Sequence, residues 1–237
     1  MSRSNNRTNG AEIHESMSYH RGQLPASRTR VAPRFKVYAN PAEVASLPEP
    51  QLKGGPGLWT TLSRERSGVA EGGRLKQSQL SQLLWSGLGF TFGHERAHTT
   101  AQEVSSLEAY VLAFDVQDIF AGSYHYNPRE HTLSQLRMED QRARFSECVL
   151  GAVEADAQGA AVCLTGLPAR HRVAHGARGY RYSLLDAGAA SQNLVLAATA
   201  LGLAANLVTD FYDSDMVALL GLGGKGEWPL CLVTVGA

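Results

Sequence analysis

The chain has 237 residues, enough for one sizeable core with an extension but too few for two comfortable domains. Its 22 Lys and Arg balance 22 Asp and Glu, so no global field steers it toward nucleic acid or an anionic membrane, and any partner must be recognised locally. Cys148, Cys163 and Cys231 lie far apart in apolar runs, which argues against a disulfide framework or a zinc knuckle and for buried thiols in a reducing, cytoplasmic setting.

Residues 1–55 hold five of the nine prolines and little hydrophobic periodicity, so an extended arm is expected there, with the main domain spanning 56–237. The polar start, Met1 to Gly10, has no apolar segment of the kind a secretory signal carries. From Ser78, read as an N-cap, Leu80, Leu83 and Leu84 mark one face of a helix that stops at Gly87 and Gly89. Three strand-like runs follow, Leu107 to Phe114, Ser123 to Tyr126 and Thr132 to Leu136. The last two are joined across Asn127-Pro128 as a hairpin.

Phe145, Cys148, Val149 and Ala152 then mark a helix face, and the continuous apolar run Ala160 to Thr165 has strand length. In Leu184 to Leu203 the stripe Leu184, Ala187, Ala190, Leu194, Ala198 and Leu201 predicts a long helix. Its small residues would let another backbone approach, at the centre of a core or in a dimer interface. Polar residues interrupt this stretch before about 20 apolar residues accumulate, so it reads as a buried helix and not a membrane span. A short strand near Leu207 to Thr209, a helix capped by Asp213 and a final strand Leu230 to Val235 complete an α+β chain, a mostly antiparallel sheet flanked by helices.

Three short patterns match well-known signatures without their context. Gly221 to Gly226 fits G-x-G-x-x-G, but it follows a helix and precedes a strand, the reverse of a dinucleotide fingerprint, and reads as a helix-to-strand turn. His94-Glu95-Arg96-Ala97-His98 spells H-E-x-x-H, yet no apolar stripe carries it and no third ligand follows at a familiar spacing, so a loop with solvated histidines is expected. His171 and His175 are four apart and would share a face if the chain between them were helical. Among Arg170, Arg172 and Arg178 they border an anionic or polar site, or simply lie in a surface loop.

The segment Gly176 to Leu194, with Arg178-Gly179-Tyr180-Arg181-Tyr182 and Gln192-Asn193-Leu194, resembles the R-G-Y-R-y…Q-N-l segment of SagB-type enzymes of the nitroreductase superfamily. Other pieces fall in the same order: His14-Glu15, Arg64 and Arg66 as R-x-R, Leu80 to Trp85, Leu107-Glu108-Ala109-Tyr110, Tyr124-His125-Tyr126 and the closing Pro229 to Gly236. The resemblance implies a dimeric nitroreductase fold in which two subunits share two FMN sites. It implies Arg64 and Arg66 at the flavin phosphate, where a guanidinium forks onto the oxygens, and Thr209 and Asp210 at the turn facing the flavin ring.

The departures bear on the chemistry. The P-S-x-G-like loop of the family is Thr99-Thr100-Ala101-Gln102 here, so that Thr100 stands for the Ser hydroxyl and Gln102 supplies an amide where the family has Gly. Where azoline dehydrogenases of this type present Lys-Tyr, this chain has Ala174-His175. Histidine is a competent base near neutral pH. The resemblance thus implies two-electron dehydrogenation of a peptide-derived substrate, with His175 or Tyr180 receiving the proton and a cyclodehydratase as partner. Standard azoline oxidation and an altered chemistry stand level. A nicotinamide-dependent reductase and a non-catalytic subunit of a synthetase complex are the rivals.

Overall fold

The computed structural model describes residues 10–21, 35–64, 73–91, 95–102, 105–150, 159–223 and 226–236. In chain order these form α1 (Gly10–Ser16), β1 (Val44–Ser46), α2 (Leu58–Ser63), α3 (Gln77–Leu88), β2 (Leu107–Ala113), β3 (Gly122–Asn127), β4 (Thr132–Arg137) and α4 (Arg142–Cys148). Then come β5 (Ala160–Gly166), α5 (Ala169–His175), α6 (Arg178–Ala200), β6 (Ala204–Val208), α7 (Asp213–Leu220) and β7 (Trp228–Gly236). One seven-stranded sheet has the order β1-β4-β3-β2-β5-β7-β6, and every pairing in it is antiparallel.

The sheet is covered on both faces, which explains why its middle strands are apolar without alternation. Side chains alternate across a strand, so Leu107, Ala109, Val111 and Ala113 of β2 pack with Leu80, Leu83 and Leu84 of α3 and with Ala187, Ala190, Leu194 and Ala198 of α6. Tyr110, Leu112 and Phe114 point the other way, to Phe145 of α4 and to Met216, Leu219 and Leu220 of α7. Cys148, Cys163 and Cys231 are free and buried, and burial pushes the Cys231 thiol up to about 11.

Several boundaries differ from the sequence reading, each for a local reason. Helix α3 starts at Gln77 after Lys76, whose backbone N–H donates to the Gln79 side-chain oxygen at 2.9 Å, so Ser78 lies inside the helix and does not cap it. Asp213 is the first residue of α7, Tyr212 holding the cap position. The long helix begins at Arg178, six residues before the apolar stripe. Its first turns bury Gly179, Ser183 and Asp186, which carry no apolar signal, while Leu184 and Leu201 are exposed.

His171 and His175 lie on helix α5, not in a surface loop. Gly176, at φ +60°, takes the left-handed conformation that lets α5 turn at once into α6. Among the described residues no helix is long and apolar enough to cross a membrane.

Candidate functional site

Topology brings distant segments to one end of the sheet. Leu107, at the start of β2, pairs with Gly166 at the end of β5. Gly166 also pairs with Trp228 at the start of β7, and Val208 at the end of β6 pairs with Leu232 of the same strand. The loop with Thr100 and Gln102 enters β2 at this end, the segment with His175 and Tyr180 follows β5 here, and Thr209 and Asp210 follow β6 here.

His175, at the C-terminal end of α5, is half-buried, with Nδ1 3.2 Å from the Tyr19 hydroxyl. Its ring meets Tyr182 edge-on at 5.1 Å between centroids, and His171 lies at 6.4 Å. Burial pushes its imidazole below the ordinary value, and the charges of His171 and Arg178 add to that, so it is neutral at neutral pH and able to accept a proton. Tyr180 is 40% exposed and stands edge-on to Trp228 at 6.4 Å. Both line a mostly apolar cavity of about 650 Å³, with Ile13 and Met17 of the N-terminal segment on one wall and Pro168, Gly176, Pro229 and Asp213 around it. That volume is in the range of small-molecule sites.

The Thr100–Gln102 loop is fastened from below. Asp186, fully buried on α6, accepts the Ala101 N–H on Oδ1 at 2.7 Å, holding the half-buried Thr100 and Gln102 side chains on either side. Beside it Ser106 Oγ donates to Ser183 Oγ at 2.7 Å. His98 is buried, which overturns the expectation of a solvated loop histidine. Its Nδ1–H donates to the Gly87 carbonyl at 2.7 Å, and the Ser105 hydroxyl meets Nε2 at 3.3 Å. Burial lowers its pKa to about 4 against the pull of the Gly87 bond, so the imidazole is neutral and structural. His94 and Arg66 lie outside the described residues. Among those described, no group of three His, Cys, Asp or Glu is arranged for a metal ion.

Arg64 stands apart from this cluster. It follows α2, which packs on α6, and its side chain is exposed with no ion-pair partner among the described residues. Thr209 and Asp210 are also exposed, and the Asp210 carbonyl accepts the Leu150 N–H at 3.0 Å.

Helix α5 is set in place by a buried ion network. Arg170 pairs with Glu108 of β2, which also takes the His125 ring nitrogen at 2.8 Å and the Lys36 N–H at 2.8 Å. A second carboxylate, Glu227, binds Lys36 and accepts from Tyr110 at 3.1 Å and from Thr165 at 2.7 Å. In the sequence Glu108 belongs to the Leu107-Glu108-Ala109-Tyr110 match and carries no role of its own there. A glutamate in the middle of an apolar strand was the available signal, because a buried carboxylate requires partners. Asp186 was likewise visible as a lone acid in an apolar helix.

Comparisons with known proteins agree with this architecture. Residues 74–237 match the Nitroreductase family. A nitroreductase-like protein of Methanocaldococcus jannaschii is 29% identical over 161 residues, which is 67% of this chain and 79% of that protein. The structure of a nitroreductase-like protein from Ralstonia eutropha superposes with a TM-score of 0.67 at 23% identity, covering 85% of this chain and 94% of that one. One from Anabaena variabilis gives a TM-score of 0.68 at 21% identity over 95% of this chain and 53% of that one. The E. coli microcin synthetase McbBCD complex, with truncated pro-MccB17 bound, gives 0.64 at 19% identity over 90% of this chain and 86% of its own. The α+β, mostly antiparallel sheet is thus that of the nitroreductase fold.

Proposed function

Because the chain belongs to the nitroreductase family, we propose that it is an FMN-dependent oxidoreductase of SagB type that dehydrogenates a peptide-derived substrate, an azoline or a related ring. The observation that carries this reading is the convergence, at one sheet end, of a neutral His175, a cavity of about 650 Å³ lined by the Gly176, Ala177 and Tyr180 that follow it, and the pinned Thr100–Gln102 loop. The neighbour in the microcin synthetase complex, with its bound peptide, supports a peptide substrate and a cyclodehydratase partner.

The residues suit a flavin in kind. Arg64 offers a guanidinium without an ion-pair partner among the described residues for the phosphate, joined in this reading by Arg66. Thr100 supplies a hydroxyl, Gln102 an amide, and the backbone at Thr209 and Asp210 the polar groups facing the ring. The bound flavin supplies the two-electron acceptor for the hydride that an azoline loses on becoming an azole. The second hydrogen leaves as a proton, for which this reading takes the His175 imidazole as acceptor, with the Tyr180 hydroxyl, which lines the cavity, as the other candidate.

The exposed stripe Leu184, Leu185, Gly188 and Gln192 on α6, with Trp59 on α2, gives a homodimer its contact surface. A nicotinamide-dependent reductase is the second reading, favoured by the nitroreductase-like relative of M. jannaschii. The test is to purify the full chain, record its visible spectrum and add substrate without oxygen. Flavin bands bleached by an azoline-containing peptide are expected. Bleaching by a reduced nicotinamide dinucleotide (NADH or NADPH) alone selects the reductase, and a colourless protein that takes up no FMN overturns both.

A further inference from the structure

The mechanism above leaves unexplained why a segment 156 positions upstream meets the proton acceptor. Tyr19, just after α1, places its hydroxyl 3.2 Å from Nδ1 of His175. The contact is built from both sides. The Arg178 guanidinium lies over the Tyr19 ring at 4.4 Å, and its Nη1 donates to the Met17 carbonyl at 3.3 Å. One turn along α6, Arg181 Nη2 donates to the His14 carbonyl at 3.1 Å. Two arginines of the same helix therefore hold the backbone of this upstream segment, and Tyr182, the residue after the second of them, packs edge-on against the His175 ring.

We propose that Tyr19 is a positioning residue for His175: its hydroxyl oxygen accepts the Nδ1–H and so fixes the tautomer in which Nε2 carries the lone pair. This rests on the reading of His175 as proton acceptor. A phenol has one proton and two lone pairs. Tyr19 is kept in its neutral form by burial first and then by a hydrogen bond to Tyr182, against the pull of Arg178. In this arrangement the Tyr19 proton is directed to Tyr182, which leaves a lone pair for His175 and makes Nδ1 the donor. The relay runs from His175 through Tyr19 to Tyr182. A neutral imidazole can serve as a base through one nitrogen only, and this arrangement leaves the free one opposite Tyr19.

The groups that face His175 are Tyr19 from the upstream segment, His171 from its own helix, and Arg178 and Tyr182 from α6. The Arg178 guanidinium opposes its protonation and does not replace the Tyr19 acceptor.

The test uses the full-length protein labelled with ¹⁵N in its histidine rings. Long-range ¹H–¹⁵N correlation at neutral pH identifies the tautomer of each imidazole, and the His175 signals are assigned by their loss in His175→Gln. The expected result is an Nδ1–H tautomer for His175, shifting toward Nε2–H in Tyr19→Phe, which cannot accept. Tyr182→Phe frees the Tyr19 proton to turn toward Nδ1 and shifts the signal the same way, a second arm should Tyr19→Phe fold poorly. In turnover, Tyr19→Phe lowers kcat by about 10-fold or more with KM little changed, a part of the 10²–10⁴-fold that general-base catalysis supplies.

An Nε2–H tautomer in the parent protein, or an unchanged His175 signal in both variants, overturns the proposal. If the parent shows the expected tautomer but oxidises no azoline peptide, it is the functional reading that fails, and the two failures are thereby told apart.

Discussion

His171 Nε2 and Asp186 Oδ2 lie 3.8 Å apart, both side chains buried and neither atom hydrogen-bonded among the described residues. That separation is too long for a direct hydrogen bond. The other Asp186 oxygen holds the Ala101 N–H, so this one side chain lies between helix α5 and the loop proposed to contact the flavin.

Asp186→Ala leaves the Ala101 N–H without its acceptor, and a buried unsatisfied donor costs about 1–3 kcal/mol. We expect a lower melting temperature and faster loss of FMN on dilution. Asp186→Asn keeps an oxygen in place and should melt closer to the parent. Calorimetry and flavin fluorescence on both variants check this.

Two acid-sensitive windows follow from the titrating groups. His98 has its folded pKa lowered from 6.5 to about 4, so the unfolded chain binds the proton first. Stability from this group is complete above about pH 6.5 and is lost as the pH falls toward 4, by roughly 3 kcal/mol at most. His131 and His175, also lowered by burial, add to the same limb. His98→Asn should therefore flatten the limb without abolishing it.

Burial alone would raise Glu108, but the His125 hydrogen bond and the Arg170 charge together outweigh it and hold the carboxyl below the usual range. Its contribution is complete above the unfolded carboxylate pKa, roughly 4.3, and is lost as the pH falls through the lower folded value. Glu108→Gln should remove this second limb, and Arg170→Ala, which strands a buried carboxylate, should cost about 3–5 kcal/mol. Urea titrations at stepped pH separate the two windows.

Helices α3 and α6 touch at Gly87, where an added Cβ would come within 2.9 Å of both Cγ and Cδ2 of the fully buried Leu194. Alanine gains about 1 kcal/mol of helix propensity over glycine, but overpacking costs about 1–3 kcal/mol. Gly87→Ala should be destabilising by about 1 kcal/mol, and pairing it with Leu194→Val should recover part of the loss. Chemical denaturation of the single and double variants decides it.

Arg64→Ala should weaken FMN binding about 10- to 100-fold, because a hydrogen bond to a charged group is worth about 1.5–3 kcal/mol. The effect should be smaller for riboflavin, which lacks the phosphate. Titration of the apoprotein with both ligands reads the difference directly.

What could be read from the chain beforehand followed the apolar signal. The runs at Leu107 to Phe114 and Ala160 to Thr165 became β2 and β5 because strands buried on both faces must be apolar throughout. The signal failed where burial is polar. Helix α5 is anchored by the Arg170–Glu108 pair and its His171 is buried beside Asp186, so no hydrophobic stripe announced it. The start of α6 was missed because Gly179 and Ser183 form its buried face. Within the candidate site, His175 and Tyr180 were reached through the family segment. Tyr19 was not, since it meets His175 only through a contact far along the chain, and Asp186 showed only as a lone acid whose partner, the Ala101 N–H, lies 85 positions away.

Strand β1 has only three residues, yet it pairs with β4 along Val44↔Ser134, Ala45↔Leu133 and Ser46↔Thr132. Without it β4 would present a bare row of N–H and C=O groups, a template on which another copy could dock. The short strand works as a stopper: deleting residues up to 46 would leave the sheet open to edge-to-edge aggregation, whatever becomes of the chemistry beyond its central strands.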